Sequence, residues 1–312
     1  MGERAKMNVT EIIGLERESV LDDAKEPYLW SDTELVFCLN EAINELCRDS
    51  WIITDQTTPS LTQLKLLSNV GLYALDDRIV NVKSARLASG NQWGRPLTKT
   101  SENKLDQTIM NWRARTGTPR EYALDAASAY LSVYPKFDTA GEVIGSADIS
   151  FAAASKKITK PGANFTAHFS VGDHFQVSGT ASNNGYLTVA SVIDTEITVN
   201  ETLVDEVNTS AILRKVRDTL LMSINRIPLT PLTANDIGAN PPVSPEIKSI
   251  YHGGLLDGIA KRAFLKQDAE TYDPQKAERH RLLFEQFKGR VKTDLIRLTA
   301  IDDTMAPRLG NM

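Results

Sequence analysis

The chain has 312 residues, 41% hydrophobic, 24% charged and 7% aromatic, the composition of an ordinary globular protein with enough apolar material for a sizeable core. At this length a single core usually stops growing, so two or three folding units are expected. Thirty-five Lys and Arg against 40 Asp and Glu give a net charge of -5, which excludes a globally basic nucleic-acid coat.

No apolar run approaches the roughly 20 residues needed to span a bilayer. The charged start Met1-Gly2-Glu3-Arg4 has no apolar run behind it, so no secretory signal is expected either. Cys38 and Cys47 are the only cysteines and fall in one predicted helix. A rise of about 1.5 Å per residue puts them roughly 13 Å apart, too far for a disulfide, so they read as small core residues in a chain suited to a reducing compartment.

In chain order, Ile12, Ile13, Leu15, Val20 and Leu21 predict a helix over 9–25, ending before Pro27. Ser31-Asp32-Thr33-Glu34 has the spacing of a capping box, and Leu35, Leu39, Ala42, Ile43 and Leu46 behind it predict a helix over 32–48. Short extended pieces follow at 61–67, 71–75 and 78–87, with turn chemistry at Asp76-Asp77 and Ser89-Gly90-Asn91. Leu105, Ile109 and Trp112 share one face of a predicted helix over 102–113, capped by Ser101. Two more strands are predicted at 121–125 and 129–134, ending at Pro135.

From about Ser146 to residue 213 the composition shifts to Ala, Ser, Thr, Asn, Gly and Val. Alternating apolar positions with turns such as Asn184-Gly185 argue for several antiparallel strands in a small barrel or sandwich. Three lysines against seven acids give this module a net charge of -4, which disfavours contact with DNA phosphate. The strand Tyr130–Tyr134 with Gly141–Ile144 upstream, and Asp218–Arg226 downstream, read as one hairpin opened by an insertion, which an exposed turn tolerates.

Prolines 228, 231, 241, 242 and 245 mark an irregular connection over 227–244. Ser244-Pro245-Glu246 reads as a helix start, with Ile247, Ile250, Tyr251, Leu255, Ile259, Ala263 and Phe264 on one face. Gly253, Gly254 and Gly258 near that face would admit a closely packed helix. Asp273-Pro274 starts a second helix running to about Leu298, so the two form an αα-hairpin. From 274 onward eight bases face five acids, a net charge of +3, and after Leu298 the periodicity is lost, so 299–312 is expected to be either disordered or ordered only by a partner.

Catalytic signatures are absent. No nucleophile elbow, phosphate-binding loop or dinucleotide fingerprint stands in the chain, and none of His168, His174, His252 and His280 pairs at a helical metal-ligand spacing. His168, Asp173 and His174 are close in sequence but read as surface polar groups of a strand and turn. The adjacent carboxylates Asp22-Asp23, Asp76-Asp77 and Asp302-Asp303 point apart and read as solvated faces. Gln92-Trp93-Gly94-Arg95 reads as a turn whose Trp folds back on its own sheet. No catalytic residue, cofactor or metal is assigned.

The run Tyr28-Leu29-Trp30-Ser31-Asp32-Thr33-Glu34, followed by Leu35, Leu39-Asn40, Ala42 and Glu45-Leu46, resembles the opening of tailed-phage head-to-tail adaptor (connector) proteins. Gly71-Leu72-Tyr73-Ala74-Leu75 with Ile79–Val82, Trp93-Gly94-Arg95-Pro96-Leu97 before the helix with Trp112, and Thr118-Pro119 leading to Leu131–Pro135 are similar to later pieces of that family, as are Asn225-Arg226-Ile227-Pro228 and the closing helix. The resemblance covers about residues 9–144 and 216–298.

It implies an α+β fold, a helical bundle with a small antiparallel β-sheet or hairpin region, to which the composition adds the inserted all-β barrel or sandwich; that module departs from simple adaptors and looks like small β modules of other phage structural proteins. The expected division is 1–145 and 214–298 for the adaptor core, 146–213 for the inserted module and 299–312 for the tail. The implied function is a non-enzymatic ring, commonly of twelve copies, in the virion neck, which docks on the portal protein, extends the DNA channel and presents a surface to the tail or nozzle protein. Genomic DNA would pass through the lumen without sequence-specific binding, and assembly would take place in the host cytoplasm. By the same resemblance Arg290, Lys292, Arg297, Leu298, Ile301, Met305, Pro307, Arg308 and Leu309 would meet the portal. The alternative reading is a tail-associated carbohydrate-binding or degrading protein. A sequence-specific DNA-binding protein conflicts with a pI near 5.5.

Overall fold

Two N-terminal helices start by the same chemistry. Asn8 Oδ1 accepts the Glu11 N–H at 2.9 Å while the Glu11 carboxylate accepts the Asn8 N–H at 2.8 Å, and Ser31 with Glu34 repeats the exchange. The computed structural model describes residues 7–89, 96–125 and 129–304. The readings placed on Met1–Lys6, on Gln92–Arg95 and on 305–312 lie outside them. Seven α-helices occur among the described residues: α1 (Val9–Glu16), α2 (Asp32–Ser50), α3 (Pro59–Thr62), α4 (Glu102–Thr108), α5 (Phe165–His168), α6 (Leu255–Ala263) and α7 (Pro274–Thr304).

Three predicted helices change shape. The one over 9–25 ends at Glu16 and continues as a single π-helical turn, Arg17–Leu21, closed by Asp22 in the left-handed region at φ 55°. Arg17 turns inward there and donates to Asp23, the Trp30 carbonyl and Asp32 at 2.6–2.8 Å. The one over 102–113 ends at Thr108, and Trp112–Ala114 forms a separate 3₁₀ turn. The helix expected to start at Pro245 does not. Glu246 instead accepts from Arg226 and from the Leu229 N–H at 2.8 Å, a 3₁₀ segment runs from Ser249 to Gly254, and only then does α6 begin. A carboxylate in a first turn marks a helix start only while it stays free to serve that turn.

The chain divides into two compact units, one of residues up to Asp55, Arg78–Asn81 and the chain from Asn225 onward, the other of Gln56–Asp77 and Val82–Ile224. The first is built on α1, α2, α6 and α7, whose buried faces share one core that includes Ile12, Leu39, Ile43, Leu255, Ile259 and Phe284. Trp30 locks the turn before α2 into it, donating its Nε1–H to the Ala263 carbonyl at 2.9 Å and meeting Phe264 edge-on. Arg226 enters the same unit, buried, between Asp55 and Glu246.

The antiparallel region is larger than the sequence suggested. Among the described residues eleven strands share one hydrogen-bonded sheet and four form another. In the large sheet the long strand Ile212–Arg226 is the hub, pairing with Gln63–Leu67, Ile79–Leu87 and Glu142–Ile144, and the path continues through His174–Ser178, Gly185–Ile193, Glu196–Val199, Lys157–Thr159 and Ile149–Ala152 to Glu206–Thr209. That path does not return on itself, so the strands close no barrel. The four-stranded sheet runs Leu72–Ala74, Tyr130–Tyr134, Glu121–Leu124, Thr98–Thr100, the last pair parallel.

The hairpin reading needs a correction. Tyr130–Tyr134 pairs inside the four-stranded sheet and not with the return strand; Glu142–Ile144 does that, with Ile144 opposite Ile212. Residues from Val143 to Leu213 share a hydrophobic core that contains Phe165, Phe169 and Phe175. The alternation read in the sequence is that of this core.

Candidate interaction surface

The longest helix, α7, is fixed by one stripe and displays another. Asp273 caps it, accepting the Gln275 and Lys276 N–H groups at 3.1 and 3.0 Å. Ala277, Phe284, Lys288 and Val291 are buried at helical spacing against α2 and α6. The expected glycine seam is real at two of its three positions. A Cβ on Gly258 would stand 2.6 Å from the Ala42 Cβ and 2.8 Å from the Phe284 ring, and one on Gly254 would stand 2.3 Å from the Phe287 ring, whereas Gly253 meets nothing within 4 Å.

Charge reinforces that seam. Lys288 Nζ, on a side chain only 7% exposed, contacts Glu45 at 2.8 Å, Glu285 at 2.9 Å and Asp49, and Lys261 contacts the other oxygen of Glu45 at 2.6 Å. Burial works against the Lys288 ammonium, but the hydrogen bonds to Asp49, Glu45 and Glu285 outweigh it and hold its pKa above the usual lysine value. Burial likewise pushes the Glu45 carboxyl up, and the two lysines more than reverse it, leaving its pKa lowered. His280 Nδ1 lies 2.8 Å from Asp257 and its ring stacks on Phe264. Glu16 is the exception: fully buried, with neither oxygen hydrogen-bonded among the described residues, its pKa is raised to about 9 by burial and then by Asp257.

The opposite side of α7 carries Arg279, Gln286, Arg290, Thr293 and Arg297, all exposed. Of the nine residues expected at a portal, Arg290, Lys292 and Arg297 are thus exposed on α7, and Leu298 and Ile301 fall within its helical span. Met305, Pro307, Arg308 and Leu309 lie outside the described residues. Arg279 was missed. Its spacing of eleven from Arg290 puts it on the same face, a signal the sequence contains.

Other sequence candidates separate. His168 Nδ1 accepts the Gly141 N–H, His174 meets the Thr188 hydroxyl at 3.0 Å and Asp173 pairs with Lys215, so the three serve different partners. Among the described residues no three His, Cys, Asp or Glu side chains form a group able to hold a metal ion. The solvated reading of Asp22-Asp23 fails for Asp23, which is buried, paired with Arg17 at 2.6 Å and accepts the Leu29 and Trp30 N–H groups. Cys38 and Cys47 are buried free thiols, both pushed up in pKa by burial.

In the second unit a cleft of about 430 Å³ opens beside Leu72, Glu102, Trp112, Arg113, Tyr130 and Lys136. Its acidic groups are engaged: Glu102 accepts from the Ser132 hydroxyl and pairs with Arg113, which lies 4.3 Å over the Trp112 ring and also pairs with Asp106. No helix of the described residues is long and apolar enough to cross a membrane.

A search of curated proteins finds no match to the chain. The model of the family described as SU10 adaptor protein matches residues 7–175, from the start of α1 through both capping boxes, the four-stranded sheet and half of the Val143–Leu213 core. More than half of the chain is covered, so the protein belongs to the SU10 adaptor family, a family of phage structural adaptors.

Proposed function

We propose that the protein is a non-enzymatic head-to-tail adaptor of a tailed phage, assembled in the host cytoplasm into a ring, of about twelve copies by family resemblance, that occupies the virion neck. The ring docks on the portal, extends the DNA channel and gives the tail or nozzle protein its attachment surface. The family match over residues 7–175 carries this reading. Two features of the first unit support it. A closed ring needs a heterologous interface on a rigid body, and the glycine seam and buried ion pairs of α2, α6 and α7 make such a body. The end of α7, with Arg290, Lys292 and Arg297 exposed and Leu298 and Ile301 beyond them, is the portal-side element, continued by Met305, Pro307, Arg308 and Leu309.

Residues 146–213 form an inserted β module in this reading, carried by the adaptor core of 1–145 and 214–298, with 299–312 as the docking tail. The carbohydrate-binding alternative needs an exposed aromatic platform; Phe165, Phe169 and Phe175 are buried, and Tyr186, also expected in the core, is exposed but has Lys65 over its ring. Mass measured by light scattering, alone and with a purified portal ring, tests the proposal. A ring of about a dozen copies on the portal is expected; a protein indifferent to the portal at all concentrations would end it.

A further inference from the structure

The four-stranded sheet ends on an open edge. The Val133 N–H donates to the Gly71 carbonyl and the Leu75 N–H to the Ala129 carbonyl, both at 2.8 Å, so Gly71, Tyr73 and Leu75 turn their backbone groups towards the strand Tyr130–Tyr134. An antiparallel ladder alternates, which points the N–H and C=O of Leu72 and Ala74 away from the sheet. Among the described residues no strand or other group bonds them there. Leu72 is 56% exposed, and Ala74 is exposed beside it. Two other edge strands are guarded: Thr98–Thr100 carries the exposed Lys99, and Glu206–Thr209 carries Glu206 and a register shift. Between Gly71 and Leu75 there is no charge, proline or register shift to discourage a further strand. Charge stands at both ends instead. A Cβ on Gly71 would lie 3.5 Å from the Lys136 Cβ, and the exposed Asp77 follows two residues after Leu75. Neither side chain makes a hydrogen bond or ion pair among the described residues.

We propose that this edge pairs antiparallel with the same edge of a second copy, about a two-fold axis through Tyr73, continuing two four-stranded sheets into one of eight strands. The edge is complementary to itself. In that register Leu72 stands opposite the partner's Ala74, and Ala74 opposite the partner's Leu72, so every outward N–H and C=O of both strands finds a bond and the exposed apolar side chains meet. Gly71 then stands opposite the partner's Leu75, which brings Lys136 to the end where the partner's Asp77 follows, twice by symmetry. Opposite charges at the two ends of one strand are satisfied by the same strand reversed. The other charges of the neighbouring cleft do not compete: Glu102 and Asp106 are paired with Arg113, and Asp125 lies two strands in from the edge, where it accepts the Tyr130 N–H. A two-fold contact uses one patch on both copies, unlike the heterologous contact that closes a ring, so the inference does not rest on the adaptor reading. An edge of three residues makes a weak, reversible pair.

The test uses the full chain, its mass followed by sedimentation as concentration rises and its amides by hydrogen exchange. Wild type is expected to pass from monomer to dimer, and the Leu72 and Ala74 amides to become protected as it does, while the Tyr73 amide, bonded within the sheet, is protected throughout. Lys136→Glu and Asp77→Lys, each first shown to melt like wild type, put like charges at both ends and should each weaken dimerisation about tenfold. Mixed together they restore both opposite pairs and should dimerise with each other as wild type does. Leu72→Pro removes an outward donor at the first residue of the strand, costs no ladder bond, and should weaken the dimer as well. A wild type that stays monomeric overturns the inference, as do single variants that show no preference for each other. A dimer or a larger ring whose Leu72 and Ala74 amides stay unprotected also overturns it and leaves the adaptor reading standing. Protection that appears only when a peptide of alternating valine and threonine ending in aspartate is added assigns the edge to a foreign strand and overturns it too.

Discussion

Gly258 of α6 and Ala42 of α2 approach so closely that a Cβ on the glycine would stand 2.6 Å from that of the alanine. Real Cβ contacts do not reach this distance, so Gly258→Ala must push the helices apart. The expected cost is about 1–3 kcal/mol in urea unfolding. Gly289→Ala is the matched control: it lies in exposed α7 with nothing within 4 Å and should stabilise by up to about 1 kcal/mol. Equal effects from the two substitutions would contradict the seam.

Glu16 sets a pH dependence of known sign. Its carboxyl ionises near 4.5 when unfolded and near 9 when folded, so between these values the folded state holds the extra proton and stability falls as pH rises. At pH 7 the loss relative to pH 4.5 is on the order of 3 kcal/mol, from about 1.4 kcal/mol per pH unit. Glu16→Gln removes the linkage. Its Tm advantage over wild type should grow from pH 5 to pH 8.5, and a constant offset across that range would count against a buried neutral carboxyl.

Arg226 is 6% exposed and holds the buried Asp55 at 2.6 Å together with Glu246. Arg226→Met takes the guanidinium away from the buried Asp55 and should cost about 3–5 kcal/mol. Adding Asp55→Asn should recover part of that loss. A double-mutant cycle in urea reads the coupling, and strict additivity would refute it.

Lys288 stabilises the folded state through Glu45, whose ionisation it favours. The lowered folded pKa of Glu45 contributes stability that is present above about 4.5 and lost as pH falls through the folded value. Lys288→Met should therefore cost about 2–4 kcal/mol at neutral pH and flatten the acid side of the stability profile. An unchanged acid slope would mean that Glu45 draws its stabilisation elsewhere.

Residues 146–210 should be removable. The Gly145 N–H donates to the Ala211 carbonyl at 2.8 Å, so a short Gly-Ser bridge can join those two residues without moving either strand. The shortened chain is expected to unfold cooperatively in urea. Loss of the cooperative transition would show that the module is integral to its neighbours.

Local chemistry decided how much of this was legible in the sequence. The capping box at Ser31, the helix behind it and the helix starting at Pro274 were readable because each is set by residues a few positions apart. The apolar alternation through Phe175 and Val177 gave the strands but not their order, since Ile212–Arg226 pairs with segments as near in sequence as His174–Ser178 and as distant as Gln63–Leu67. Ion pairs that no periodicity announces misled in two places: Asp23 serves Arg17 and two backbone amides, and Glu246 serves Arg226 rather than a first helical turn. At the candidate surface, Arg290 and Arg297 were chosen by resemblance, while Arg279, on the same helix, lies before the stretch that the resemblance singled out.

Two populations of charge on α7 respond differently to ionic strength. Lys288 is buried and its partner Glu45 is largely covered, so mobile ions have little access to that pair, whereas Arg279, Arg290 and Arg297 stand in the solvent where ions screen them within a Debye length of about 8 Å. Concentrated salt should therefore weaken whatever contacts are made through the arginine face while leaving the pairing of Lys288 with Glu45, and with it the helix packing, in place.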